Sequence, residues 1–323
     1  MSDLFTGIKE KLSGEKKTVV FPEGTDERIL TVVSRLANED LLHPIVVGNE
    51  EEVRNTANSL NVELSGVTIF DPGTYEEMDM LVQSFVERRK GKSTEEDARK
   101  ILQDANYFGT MLVHTNKADG LVSGAVHSTA DTVRPALQII KTKEGMKKTS
   151  GAFVMVRGDE KYVFADCAIN ISPNSKDLAE IAIASAETAK LFDIDPRVAM
   201  LSFSTYGSAI SPETERVTEA LKLVKEERDD LVIDGEFQFD AAFVPSVAAK
   251  KAPDSVIKGD ANVFIFPSLE AGNIGYKIAQ RLGNFEAVGP ILQGLNRPVN
   301  DLSRGCSAED VYKLALITAA QAL

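Results

Sequence analysis

Short apolar or β-branched runs alternate with longer stretches of helical periodicity along most of this chain, and few architectures accept that rhythm. Runs at 18–22, 44–48, 67–71 and 120–124 in the first half, and at 152–157, 162–167, 198–205, 263–267 and 288–292 later, are predicted strands. Between them, residues 27–41, 75–89, 94–106, 176–192, 213–225 and 272–282 place apolar residues at helical spacing. Alternation of this kind predicts an α/β fold with largely parallel sheets covered by helices. A length of 323 residues is enough for two cores. The polar, basic, glycine-bounded stretch 141–152 predicts a break near 150, and a second crossing is expected near Pro298. The expected domains are therefore 1–150 plus about 300–323, and 151–299. Sites in such folds form at strand carboxyl ends and in clefts, so strand-to-helix loops are where chemistry is sought.

The net charge of −13 argues against nucleic acid or an anionic membrane as partner. It leaves room for an anionic small molecule, because a local cluster of Arg and Lys overrides the global balance. Cys167 and Cys306 are the only cysteines, which excludes a disulfide framework and predicts a reducing, cytoplasmic setting. Residues 1–17 lack the apolar core of a signal peptide, and no apolar run approaches the ~18 residues of a membrane span.

One loop candidate is the segment Leu302-SRGCSAED-Val311. Ser307-x-x-Asp310 reads as a capping box, with Ser307 the N-cap and Ala308 the first helical residue. A helix start presents unpaired N–H groups, and Arg304 just upstream adds a guanidinium, a combination suited to an anion. Taken alone, the segment reads first as a capped helix with solvated charge. A second candidate is the loop after the strand at 120–124, where Gly124 allows a tight turn and Ser128 or Thr129 could cap a helix. Hydroxyls and free N–H groups there suit phosphate oxygens; a turn and a capped helix, with Arg134 on the surface, serve the same residues equally well. Pro135 should disturb the helix. Arg88, Arg89, Lys90 and Lys92 follow an amphipathic helix, as dipole complement or as a landing patch for a polyanion. Val86 stands where a P-loop needs glycine, so Gly91-Lys92-Ser93 is rejected as one. The chain has no G-x-G-x-x-G, G-x-S-x-G or C-x-x-C, and His43, His114 and His127 lack metal-ligand spacing. The acidic stretch 229–236 is read as a solvated loop before an Mg²⁺ site, and Cys167 as core.

Several long segments in one order resemble the phosphate acetyltransferase (phosphotransacetylase) family over nearly the full chain. They are Val19-VFPEGTDER-Ile29, Ser123-GAVHSTADTVRPALQIIKT-Lys143, Phe164-ADCAIN-Ile171, Asp234-GEFQFDA-Ala242, Phe266-PSLEAGNIGYKIAQRLG-Asn284 and Gly289-PILQGLNRPVNDLSRGC-Ser307. The resemblance implies two α/β domains facing a cleft that holds the active site, as in isocitrate and isopropylmalate dehydrogenases, and a homodimer. It implies reversible conversion of acetyl-CoA and inorganic phosphate to acetyl phosphate and CoA, with no redox cofactor; the histidine spacing adds the expectation of no metal. It further implies that Ser303, Arg304 and Asp310 are catalytic, and that Arg134 with Arg88 or Arg89 binds CoA. The loop argument adds Ser128 and Thr129 as phosphate contacts. An alkyl thiol with pKa near ~8.5 needs a base to attack an acyl group. Asp310 is expected to be that base, with partial burial raising its pKa, while Ser303 orients the thiol and Arg304 clamps phosphate. A rival route runs through Cys306, whose thiol a helix start and Arg304 could activate for an acyl-enzyme. A phosphate butyryltransferase on the same scaffold is the alternative; a hydroxy-acid dehydrogenase and a non-enzymatic binding protein rank lower.

Overall fold

A computed structural model describes residues 4–323; the first three residues of the N-terminal stretch lie outside the described residues. The strands are β1 (Lys17–Phe21), β2 (Leu42–Val47), β3 (Thr68–Phe70), β4 (Gly120–Ser123), β5 (Ser150–Arg157), β6 (Glu160–Ala165), β7 (Arg197–Leu201), β8 (Val232–Phe237), β9 (Val263–Ile265), β10 (Glu286–Gln293) and β11 (Val299–Asp301). The helices are α1 (Thr6–Gly14), α2 (Glu27–Asn38), α3 (Glu50–Ser59), α4 (Met78–Arg89), α5 (Glu95–Ile101), α6 (Ala105–His114), α7 (Thr129–Pro135), α8 (Ser175–Leu191), α9 (Pro212–Glu227), α10 (Phe239–Phe243), α11 (Pro245–Lys251), α12 (Leu269–Arg281) and α13 (Ala308–Ala320). No described helix is long and apolar enough to cross a membrane.

The chain divides into two compact units, Phe5–Lys143 with Leu295–Leu323, and Glu144–Gly294. The divisions fall at 143/144 and 294/295, a few residues before the polar stretch ends and before Pro298.

In the first unit a wholly parallel sheet runs in the order β11-β4-β1-β2-β3. Its central strand, Lys-Thr-Val-Val-Phe, is buried on both sides, as a parallel strand covered by helices must be. A Cβ on Gly120 would meet Thr318 of α13, whereas Gly109 of α6 approaches Leu121, the next residue along β4. Successive residues of a strand face opposite ways, so α13 and α6 cover opposite faces of the sheet. The chain places β2 and β3 to one side of β1 and then returns with β4 on the other. The carboxyl ends of β1 and β4 therefore flank a topological switch point, the crevice where open α/β sheets bind ligands.

The second unit holds a sheet in the order β10-β5-β6-β9-β7-β8, antiparallel across its first two pairs and parallel across the others. Its core gathers Phe153, Phe164, Phe237, Phe264 and Phe266.

Two sequence readings need correction. Residues 94–106 do not form one helix: α5 ends at Ile101, and Asp104 caps a new helix by accepting from the N–H groups of Asn106 and Tyr107. The acidic stretch 229–236 is not a solvated loop, since β8 runs through it and buries Asp234 and Glu236. Ser255 and Tyr206 hydrogen-bond Asp234, while Ser204 and the Gly207 N–H serve Glu236. Hydrogen-bond partners delivered from loops distant in the chain leave no periodic trace in the segment itself.

Candidate active site

Parallel pairing of β11, β4 and β1 sets their three exit loops side by side: 22–26 after β1, 124–128 after β4, and 302–307 after β11. Gly124 turns the chain out of β4 at φ +111°, where a Cβ would lie 2.5 Å from the Leu302 carbonyl oxygen, so only glycine fits. The Leu302 N–H donates to the Ser123 carbonyl at 2.6 Å, tying the second and third loops at their roots.

The first loop supplies two residues that organise the other two. Glu23, only 4% exposed, accepts through Oε1 from the N–H groups of Gly124 (3.2 Å), Val126 (2.8 Å) and His127 (2.9 Å), and through Oε2 from Ala125 (2.8 Å). The His127 ring adds Nδ1 at 2.8 Å from Oε1. Burial pushes the Glu23 carboxyl up, but the His127 ring and the backbone donors outweigh it, and the net direction is down. The same hydrogen bond pushes the His127 imidazolium up, against burial. Arg28, held by Asp26, donates from Nη2 to the Ala125 carbonyl (2.8 Å) and from Nη1 to the carbonyls of Arg304 (2.9 Å) and Cys306 (3.1 Å). One guanidinium thus bridges the second and third loops.

Glu23 fills the nest of N–H groups from Gly124 to His127, so those four are not free for phosphate. The expected hydroxyl contacts are also committed. Ser128 caps α7 and donates Oγ–H to Asp131 (2.6 Å), and Thr129 donates to Asp301 (2.6 Å). Burial pushes the Asp301 carboxyl up, with the Thr129 hydrogen bond opposing.

The third loop is open. Ser303 and Arg304 are exposed, and among the described residues the Arg304 guanidinium makes no hydrogen bond or ion pair. Ser307 caps α13 with a full capping box: Asp310 N–H donates to Ser307 Oγ (3.2 Å), while Asp310 Oδ2 accepts from the Ser307 N–H and Oγ–H (both 2.8 Å). Asp310 is itself exposed, so the partial burial expected of it is absent. Cys306 is 9% exposed, and burial pushes its thiol up, with Arg28 opposing. A thiol moved in that direction is a poorer nucleophile at neutral pH, the reverse of what the Cys306 acyl-enzyme route requires.

The basic candidates gather at another edge of the same unit. Arg88 and Arg89 lie in the last turn of α4 rather than beyond it. Pro135 cannot donate a helical hydrogen bond, and the chain continues as a π-turn over Ala136–Ile140. Arg88 is spent on that turn, donating to the carbonyls of Ile139 (2.5 Å) and Ile140 (2.9 Å). Among the described residues Arg89 has no such partner. Arg89 and Arg134 both act on the phenol of Tyr107, which burial pushes up and these two cations pull down. Lys141 is pushed down by Arg88 first, with Lys90, Arg89 and Lys92 adding to it. Six cations therefore share one field, the environment a polyanion seeks.

A cavity of about 540 Å³ lies elsewhere in the unit, against His43, Glu50, Phe70, Asp71, Tyr75 and Glu77. Three of its four carboxylates are already matched, Glu50 with Arg54, Asp71 with Asn49 and Glu77 with Lys117, and it holds none of the candidate residues.

Sequence reasoning missed Glu23 and Arg28 as individual residues. Their signal was the position of Pro22-Glu23-Gly24-Thr25-Asp26 between a strand and a helix at the switch point.

Residues 3–319 match the family model described as phosphate acetyl/butaryl transferase. The chain is 74% identical over 323 residues to a phosphate acetyltransferase of Bacillus subtilis (strain 168), covering all of both chains. It superposes on a solved structure of EutD phosphotransacetylase from Staphylococcus aureus with TM-score 0.97 at 61% identity, covering 100% of this chain and 99% of that one. A phosphotransacetylase structure from Streptococcus pyogenes gives TM-score 0.97 at 61% identity, covering 99% and 98%.

Proposed function

This chain belongs to the phosphate acetyl/butaryl transferase family, and on that premise we propose that it transfers an acetyl group reversibly between CoA and inorganic phosphate. The observation that carries the reading is the exposed, unpaired Arg304 guanidinium beside Ser303, at the start of the helix bearing Asp310 and one strand from the switch point of the sheet. The family names agree with it.

In the direction of acetyl-CoA synthesis, Asp310 takes the proton of the CoA thiol. Ser303 donates a hydrogen bond that orients the thiolate. Sulfur then attacks the carbonyl carbon of acetyl phosphate, the carbon–oxygen bond to phosphate breaks, and the departing phosphate takes up the proton from Asp310. Arg304 neutralises charge on the phosphate as it leaves and on the acyl oxygen as it develops. Asp310 Oδ2 is occupied by Ser307, which leaves Oδ1 for the thiol proton. The step balances without a redox cofactor or metal, and CoA and phosphate enter as substrates. Direct transfer is favoured over the acyl-enzyme because burial moves Cys306 away from nucleophilicity.

CoA is a polyanion, and the field of Arg89, Arg134 and Lys141 is our choice for its phosphates. Arg88 supports the turn beneath them. Ser128 and Thr129 are withdrawn to positioning that loop. The second unit supports the homodimer: Ile274, Ile278 and Leu282 form a stripe on α12 and its C-cap, 58%, 53% and 81% exposed at four-residue spacing. Two free thiols are consistent with the cytoplasm.

Phosphate-dependent release of free thiol from acetyl-CoA tests the reading, repeated with propionyl- and butyryl-CoA. Release fastest with acetyl-CoA is the expected result. No release with any acyl chain overturns it, and faster release with butyryl-CoA moves the assignment to the butyryl branch.

A further inference from the structure

The residue that the geometry singles out beyond these is Glu23. It touches no proposed substrate position, yet five donors converge on its two buried oxygens: four consecutive N–H groups from Gly124 to His127, and the His127 ring. Four consecutive N–H groups facing one point make an anion nest of the kind that cradles phosphate elsewhere. Here the anion is part of the chain, delivered from a loop 101–104 residues away. The neighbouring Arg28 carries that order onward, from the Ala125 carbonyl to the carbonyls of Arg304 and Cys306.

We propose that Glu23 is a positioning residue for acyl transfer, a built-in anion that sets the 124–127 loop and, through the Arg28 bridge, the placement of Ser303 and Arg304. The assignment rests on the acyl-transfer reading. Removing the negative charge should therefore misplace the open loop without touching its chemistry. A glutamine cannot substitute, because its NH₂ group would face at least one N–H donor on either side: Oε1 receives four donors and Oε2 receives one.

The His127 ring gives a readout independent of turnover. It is faced by Glu23 from the first loop, Asp104 from the start of α6 and Asp131 from α7. Glu23 is flanked in turn by Arg28, Asp301 and Cys306. With its folded value raised, His127 contributes stability that is full below its unfolded value near ~6.5 and is lost as pH rises through the folded one. Without the Glu23 charge, burial is opposed only by the more weakly acting Asp104 and Asp131, and the value should fall.

The experiment compares the full-length parent with Glu23→Gln and Glu23→Ala. Glu23→Gln should lower kcat for phosphate-dependent thiol release by ~10²-fold, the cost of roughly 1 Å of misplacement, with KM for CoA changed less than about threefold. An NMR titration should show the His127 midpoint moving down in Glu23→Gln. Formate should restore a large part of kcat in Glu23→Ala by refilling the nest, which a merely damaged fold would not allow. A Glu23→Gln variant within about threefold of the parent in kcat overturns the assignment. So does a parent His127 that titrates at or below the ordinary value, a measurement that needs no variant to fold. A parent that releases no thiol sinks the acyl-transfer reading and this assignment together, whereas an active parent beside an unimpaired Glu23→Gln sinks the assignment alone.

Discussion

The β4–α7 loop and the β11–α13 loop leave neighbouring parallel strands, and each enters its helix through a Ser-x-x-Asp capping box: Ser128 with Asp131, and Ser307 with Asp310. Both serines donate Oγ–H to the aspartate Oδ2, at 2.6 and 2.8 Å. The first loop is closed, because Glu23 fills its nest and Asp301 takes the Thr129 hydroxyl. The second is open, with Arg304 unpaired among the described residues and the loop tied to its neighbours by the Leu302 N–H and by the backbone carbonyls that Arg28 holds. The same local motif therefore does two jobs. Which job falls to which loop is decided by a carboxylate from a third segment, and by whether a counter-charge meets the arginine.

The comparison breaks most visibly at the open loop. Arg304→Ala and Asp310→Ala should each lower kcat/KM for thiol release by ~10²-fold or more, as electrostatic and acid–base groups do. Near-parent turnover in both would return the segment to plain helix capping. A smaller effect should separate the two arginines of α4. Arg89→Ala should raise KM for CoA about tenfold with a stable fold, since removing one phosphate contact costs ~1.4 kcal/mol of binding. Arg88→Ala should lower the melting temperature instead, because the Ile139 and Ile140 carbonyls lose their donor. Equal effects on KM would show that Arg88 too reaches the ligand.

The caps themselves sharpen the contrast. Ser128→Ala and Ser307→Ala should each cost about 1 kcal/mol of stability by thermal unfolding. Only Ser307→Ala should also change the pH dependence of kcat, because it removes one of the two donors on the Oδ2 of the proposed base and leaves the backbone N–H. Matching pH profiles would mean that Asp310 does not handle the thiol proton. Least of all should change in Cys306→Ala, which keeps most of its activity if transfer is direct; a loss of several orders of magnitude in steady-state turnover would revive the acyl-enzyme.

Much of the frame was legible in the residues. Apolar runs with period two and stretches with period 3.6 marked most strands and helices, because each element buries one face or both against a neighbour. Ser307 as N-cap and Ala308 as first helical residue followed from local chemistry alone. The break at 102–104 escaped, since Asp104 interrupts an otherwise continuous apolar period. Strand β8 escaped as well. Its Asp234 and Glu236 look solvated in sequence and are buried only because hydroxyl partners arrive from 204, 206 and 255.

The candidate site divides the same way. The terminal Ser303, Arg304 and Asp310 carried their chemistry in adjacent residues, and the sequence by itself determined that a hydroxyl, a guanidinium and a carboxylate would crowd one helix start. It could not determine that Glu23 occupies the nest after β4, that Arg28 joins two loops, or that Asp310 stays exposed. Those depend on parallel pairing of β1, β4 and β11, which brings loops far apart in the chain to one edge of a sheet. Capping is a local equilibrium between a side chain and the next turn of backbone. Charge compensation and burial are set by whatever the fold delivers through space, and only the tertiary structure decided them.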